Sequence, residues 1–334
     1  MARYVAEKVV SAIVTIFAAS LLAFLILRAV PSNPARLIAG PFATDDVIKS
    51  IERQLDLDKP LPIQYLDYVA NFLRGDWGFS YSAGEPVFRQ IAERLPASVE
   101  LAIFAFALAF VGALAVTVLA SYSRSQLADG AIRLASFLCV GLPPFWISLI
   151  LLVVFFEQLN WLPGPVGRGP EPSPIHTGLF TLDATLNGQW ATLLADIQSL
   201  TLPSVALALA PMGYLIRLLR VNLLDVENEP FVTVLRAKGV RPLKVHFAHI
   251  LPNAFIPTLT AGGLILAQLL GGSVLVESVF AWPGVGSLVM DGVLRQDYAV
   301  VQAFIMLSAA IYICVNLGVD VLYGYVDPRT RRSE

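Results

Sequence analysis

Charge is scarce in this 334-residue chain. Only 14% of its residues are Asp, Glu, Lys or Arg, against roughly 25% in soluble domains. The formal balance is −2, so the basic footprint of a nucleic-acid binder is missing. Cysteine occurs twice, as Cys139 and Cys314, each inside an apolar run, which argues against a disulfide framework. The three histidines, His176, His246 and His249, form no metal-ligand cluster. His246 and His249 share a helical face, but their cationic surroundings disfavour a metal. No Gly-x-x-x-x-Gly-Lys-Ser/Thr loop is present, so the chain itself has no means to cradle and hydrolyse ATP. Neither His-Glu-x-x-His nor Gly-x-Ser-x-Gly occurs. Glu157, Asp297 and Asp320 are scattered near span ends or in loops, which leaves an intramembrane enzyme as a remote alternative without its constellation. Charged pore rings, which a passive ion channel would need, are not evident either.

Long apolar runs are what the chain has instead. It is 56% hydrophobic with a mean hydropathy of +0.69. Six runs are long enough to cross a bilayer: Val9–Leu27, Val99–Ala120, Ile132–Phe156, Leu202–Leu219, Ala254–Val279 and Val300–Tyr323. The expected fold is an all-α integral membrane protein of six transmembrane helices with a large helical first outer loop. Residues 1–30 hold the first helix, 31–97 the outer loop, 98–326 a core with the other five, and 327–334 a tail. The first run is followed by Arg28 and Pro31 rather than a cleavage site, so it is expected to be retained. Arg3, Lys8, Arg124, Arg133, the cations after Leu219 and Arg329, Arg331 and Arg332 all fall on one side if both termini are cytoplasmic.

Within the first loop, Thr44-Asp45-Asp46 predicts a helix start, and Ile48, Ile51 and Leu55 continue it at helical spacing. Gly75-Asp76-Trp77-Gly78 is a break, and Pro86-Val87 resumes a helix. Tyr65, Tyr68, Trp77 and Tyr81 suit a membrane–water boundary. Gly141-Leu142-Pro143-Pro144 interrupts the third span, either as a kink packed on neighbours or as a bend lining a pathway. Gly271 and Gly272 leave room for close helix approach in the fifth span. Pro143, Pro144, Gly271 and Gly272 are therefore the candidate pathway-lining residues. Glu277 is expected at the interface near the outer end of that span, and a second outer loop, 157 to about 199, begins irregularly with many Pro and Gly.

The polar break at 221–253 centres on PFVTVLRAKGVRPLKVHFAHILPN, from Pro230 to Asn253. Phe231, Val232, Val234 and Leu235 give its first turns an apolar side; Thr233, Arg236 and Lys238 give it a polar one. Gly239 suits a helix C-terminal stop in the left-handed conformation, and Pro242 suits the first turn of a second helix. Composition alone allows a solvated connection; the amphipathic pattern allows a helix–Gly–helix unit that docks into a partner.

These residues carry a resemblance. Arg236-Ala237-Lys238-Gly239, then His249-Ile250-Leu251-Pro252, is similar to the permease signature of ABC importers: a Gly followed thirteen residues later by the Pro of an x-Leu-Pro ending. Thr233-Val234-Leu235 stands where the generic signature begins Glu-Ala-Ala. Leu57-Asp58-Lys59-Pro60-Leu61-Pro62, Leu73-Arg74-Gly75-Asp76-Trp77-Gly78-Phe79-Ser80, Arg94-Leu95-Pro96-Ala97-Ser98, Trp161-Leu162-Pro163, Phe280-Ala281-Trp282-Pro283-Gly284-Val285-Gly286 and Asp327-Pro328-Arg329 resemble, in this order, blocks of the dipeptide/oligopeptide/nickel permeases. The resemblance implies a type I ABC importer permease of the inner membrane for dipeptides or oligopeptides. Nickel chelates, glutathione, opine-like compounds and oligosaccharides are the cargoes of related systems. It implies a second homologous permease subunit, two cytoplasmic ATPase subunits that hold ATP and Mg, and an extracytoplasmic binding protein. No cofactor is implied for this chain. It also implies that Phe231, Val234, Leu235, Arg236, Ala237, Lys238, Gly239, His249, Leu251 and Pro252 couple the permease to its ATPase.

Overall fold

A computed structural model describes residues 2–326 except 30–34, 36–38, 41, 55, 56 and 123–125. The tail at 327–334, Arg124 and the junction after residue 29 lie outside the described residues. The chain is helical almost throughout. In order it forms α1 (Ala2–Ala29), α2 (Asp45–Gln54), α3 (Leu61–Leu73), the two-residue strands β1 (Phe79–Ser80) and β2 (Glu85–Pro86), α4 (Val87–Tyr122), α5 (Gln126–Gly141), α6 (Pro144–Leu151), α7 (Phe180–Leu186), α8 (Trp190–Glu227), α9 (Pro230–Ala237), α10 (Pro242–Val245), α11 (Leu251–Gly272), α12 (Val274–Val279), α13 (Val285–Leu294) and α14 (Tyr298–Val326). One turn of π-helix follows α6 (Leu152–Gln158), and another joins α10 to α11 (His246–Ile250).

Four stretches are long and apolar enough to span a bilayer: Val87–Ala120, Trp190–Glu227, Pro242–Gly271 and Tyr298–Val319. The pair Gly130–Gly141 and Pro144–Gln158 makes a fifth if counted as one span, and α1 holds the shorter apolar stretch Ile13–Ile26. This set is consistent with the six expected spans. The third departs from a simple kink, because its halves meet at 106°. Pro143 is extended, with φ −61° and ψ 136°, and Pro144 opens a new helix with its missing N–H at the first turn. The fifth is also broken. Gly271 and Gly272 are weak helix formers, and the helix stops there before α12 restarts beyond Ser273. By contrast α4 runs unbroken across the expected junction at 97/98. Pro96 falls within it without ending it.

The main core is an apolar cluster from α4, α6, α8, α11 and α12, including Leu101, Ile147, Leu215, Ile265, Phe280 and Trp282. Gly213 on α8 meets α5 so closely that a Cβ there would lie 2.6 Å from the Ser136 carbonyl oxygen. The expected helix start at Asp45 is present, with Asp45 and Asp46 in the first turn of α2. The loop aromatics tie this region to the spans. Tyr65 Oη lies 2.7 Å from Ser20 Oγ on α1, Tyr68 Oη donates to the Gln302 carbonyl on α14, and Trp77 stacks on Phe72 with centroids 4.7 Å apart. Ser80 and Ser82 donate to Asp297 Oδ2 at 2.6 and 2.8 Å, which pins the β1–β2 hairpin to the turn before α14.

α8 has 38 residues, about 57 Å at 1.5 Å per residue, nearly twice the ~30 Å hydrocarbon thickness. Its start carries a strap, residues 164–189, and its end carries the Pro230–Asn253 unit. The two therefore sit on opposite faces of the molecule.

Candidate functional site: a helix–glycine–helix unit and a knotted opposite face

The Pro230–Asn253 unit has the expected local architecture. α9 ends at Ala237, Lys238 is the last near-helical residue, and Gly239 follows with φ +75°. A Cβ at Gly239 would meet nothing within 4 Å, so only the left-handed backbone demands glycine. Pro242 occupies the first turn of α10, and the chain passes through His246–Ile250 into α11.

Burial sorts the coupling candidates into two sets. Val232, at 0% exposure, joins Leu219, Leu223, Val245, Ile250 and Ala254 in a small apolar cluster, with Leu235, Val240 and Leu251 packed against it. Leu235 and Leu251 thus anchor the unit to the end of α8 rather than offer themselves outward: the period of α9 turns Leu235 with Val232 toward the spans, and Leu251 packs on the same cluster from the start of α11. Phe231 and Val234 remain exposed, and so do Leu243 and Phe247, at 61% and 42%, which the sequence pattern had not marked. Ala237, Lys238 and Gly239 are exposed, His249 is half-buried and Pro252 is exposed. Arg236 is paired with Glu227 at the end of α8, and both are exposed. Lys238, Arg241 and Lys244 have no acidic partner among the described residues. The unit therefore presents four large apolar side chains beside three unpaired cations.

The pathway candidates have different surroundings. Pro143 and Pro144 are exposed at the 106° bend. Gly271 instead lines a small internal cavity with Ser98, Ser273, Glu277 and Ser308, and a Cβ there would have Ser308 Cβ as its nearest neighbour at 3.8 Å. The side-chain surroundings of Gly272 lie outside the described residues.

Glu277 corrects an expectation. It is fully buried, not interfacial. Its Oε1 accepts from Ser98 Oγ at 2.8 Å and Ser273 Oγ at 2.6 Å, and its Oε2 accepts the Ser287 N–H at 2.9 Å. Ser287 lies in the first turn of α13, where a carboxylate meets free N–H groups and the positive end of the helix. Ser98 also accepts the Val285 N–H, and Trp282 Nε1 donates to the Ala97 carbonyl at 2.9 Å. The blocks Arg94–Ser98 and Phe280–Gly286 thus form one knot. Gly284 and Gly286 are required there: a Cβ on either would lie 2.4 or 2.7 Å from Glu277 Oε2.

The strap is tied to this knot. The Gly167 N–H donates to the Phe280 carbonyl, and the next residue, Arg168, keeps only 9% of its side chain exposed. Its guanidinium pairs with Glu100, donates to the Gly178 carbonyl at 3.0 Å and lies 3.4 Å over the Phe180 ring. Thr181 donates to Glu100 through both its N–H and its hydroxyl. Asp183 accepts from the Thr177 N–H and hydroxyl and from the Gly178 N–H at 2.9–3.0 Å. Burial raises the Asp183 carboxyl, but these donors outweigh it and hold the group below the usual carboxylate range.

Residues 113–332 match the family described as binding-protein-dependent transport system inner membrane component, and residues 1–102 match its N-terminal membrane component. The chain belongs to this family. It is 36% identical over 336 residues to the di/tripeptide transport system permease protein DppB of Pseudomonas aeruginosa (strain UCBPP-PA14), covering 100% of both chains. It is 36% identical over 313 residues to the probable D,D-dipeptide transport system permease protein DdpB of Escherichia coli (strain K12), covering 93% of this chain and 92% of that one. It is 33% identical over 333 residues to the dipeptide transport system permease protein DppB of Alkalihalophilus pseudofirmus, covering 99% and 100%. The permease is accordingly a multi-pass membrane protein with its length fully matched.

Proposed function

We infer that this permease is the membrane subunit of an ATP-driven importer of small peptides, with the Pro230–Asn253 unit as its docking element for a cytoplasmic ATPase. The observation that carries the peptide assignment is end-to-end similarity to permeases named for dipeptide or tripeptide transport. The observation that carries the docking role is the exposed set Phe231, Val234, Leu243 and Phe247 beside Lys238, Arg241 and Lys244. An amphipathic helix inserts such a face into an apolar groove, with cations at its rim for steering and register. Glycine at 239 fixes the angle between α9 and α10, so movement of the groove is passed through Val232 and Leu235 to α8 and α11. ATP and Mg would be held by the ATPase subunits. A second permease subunit and an extracytoplasmic binding protein complete the importer, which works by alternating access.

In this reading both termini and residues 221–250 are cytoplasmic, and residues 31–97 and the strap are outside, in the inner membrane of the cell. Single cysteines replacing Ser50 and Asn228, both exposed, test the topology: an impermeant maleimide should label the first from outside and the second only after permeabilisation. Labelling of both from outside contradicts it. ATP-dependent uptake of a labelled dipeptide by the reconstituted importer, competed by di- and tripeptides but not by an oligosaccharide or a nickel chelate, tests the cargo. The converse competition pattern overturns the peptide assignment.

A further inference from the structure

The strap face holds one carboxylate that the knot does not satisfy. Asp196 is 2% exposed, and its two oxygens make no well-formed hydrogen bond; the backbone N–H of Gly169 is the donor nearest to them. It sits two turns into α8 against the irregular strap backbone. A Cβ on Gly169 would lie 2.4 Å from Asp196 Oδ1. The 38-residue helix is about 57 Å long, well beyond the ~30 Å hydrocarbon layer, and this end, with Asp196 and Gln198 ahead of the apolar run from Leu202, is the part that lies outside the membrane-spanning stretch. Glu100 from α4 and Arg168 from the strap are the charges that face Asp196. Asp183 from α7 faces Arg168 in turn. Of the other elements packed on α8, α6 and α11 carry no charged residue, the Glu277 of α12 is engaged by Ser98, Ser273 and Ser287, and α5, whose Arg133 is exposed, meets α8 at Gly213.

One guanidinium therefore faces two buried carboxylates; it pairs with Glu100 and acts on Asp196 through charge alone, without a hydrogen bond. A second buried anion without a well-formed donor carries the cost of losing its water, whereas a neutral carboxylic acid avoids most of that cost. We propose that Asp196 is a proton-binding site whose protonation closes the strap, making the strap face a sensor of acidity. Burial pushes the Asp196 carboxyl up to about 6; the charge of Glu100 adds to the push, and Arg168 and the Gly169 backbone oppose it. The sign follows from linkage. The closed strap holds the proton more tightly than the open chain does, so its added stability is complete below the ordinary carboxylate value near 4 and is lost as pH rises through about 6. Asp183, held below the usual range, stays ionised across this window and does not compete.

Amide hydrogen exchange of residues 166–183 in the full chain, co-expressed with its subunits and held in nanodiscs, tests this, with rates corrected for intrinsic pH dependence. Protection should fall about tenfold between pH 5 and pH 8 in the native permease. Asp196→Asn, which imitates the protonated acid, should stay protected at both. His176→Gln, on the exposed edge of the strap, should keep the native pH dependence and so exclude an imidazole. Difference infrared spectroscopy of the native protein should show a protonated carboxyl band at pH 5 that disappears by pH 8, a measurement that stands if Asp196→Asn does not fold. Flat native protection, unchanged pH dependence in Asp196→Asn, or absence of the carboxyl band overturns the proposal.

Discussion

The two faces of this permease are built on opposite plans. On the strap face, Asp196 apart, buried charges end in partners supplied by the same chain: Glu277 in Ser98, Ser273 and Ser287, Glu100 in Arg168 and Thr181, and Asp183 in Thr177 and Gly178. On the opposite face, Pro230–Asn253 is held by one small apolar cluster and leaves both cations and large apolar side chains exposed. A finished surface is stabilised within the chain, while an unfinished one needs a partner to cover it. Substitutions on the first should cost stability, and substitutions on the second should cost assembly.

The largest stability effect should come from Glu277→Ala. It strands two hydroxyls and an N–H without an acceptor, at about 3 kcal/mol or more in total. A thermal shift of the purified permease should show a markedly lower midpoint; an unchanged midpoint would mean that the knot is not needed for the fold. Gly169→Ala comes next, because its Cβ must displace Asp196 or the strap, at about 1–3 kcal/mol. Limited proteolysis should cut within residues 164–189 sooner in that variant.

The comparison also explains what the sequence made legible. The spans and the helix–Gly–helix unit are local features: apolar length, a left-handed Gly239 and a first-turn Pro242 each depend on near neighbours. The knot is not local. Ser98 is 179 positions from Glu277, and Glu100 is 68 from Arg168, so neither acid carries a neighbouring sign of its burial. For that reason Glu277 looked interfacial. Within the unit, amphipathicity identified the helix but not which apolar residues face inward. Val232 and Leu235 were separable from Phe231 and Val234 only once the end of α8 and α10 were in position. Leu243 and Phe247 could have been found by extending the apolar count past Pro242.

Two smaller effects sharpen the contrast on the unfinished face. Leu243→Asp should leave the midpoint within about 0.5 kcal/mol of native, since the residue is exposed. It should nevertheless sharply reduce ATPase co-purification from solubilised membranes. A lowered midpoint with intact co-purification would place Leu243 with the core instead. Arg236→Glu sets a second anion beside Glu227 and removes one exposed pair. Such pairs contribute ~0.2–1 kcal/mol, so assembly should weaken least here, with the deficit growing at low ionic strength.

The most direct measurement concerns Gly239→Val, co-expressed with the remaining importer subunits, with membrane level, ATPase retention and peptide uptake read from the same preparation. The left-handed backbone at +75° penalises a β-branched side chain by at least ~1–2 kcal/mol, although there is space for one. The spans do not depend on that turn. The permease should therefore reach the membrane at native level while retaining less ATPase, or while hydrolysing ATP without moving peptide. Native retention together with native uptake would contradict the account and reduce residues 230–253 to a solvated connection.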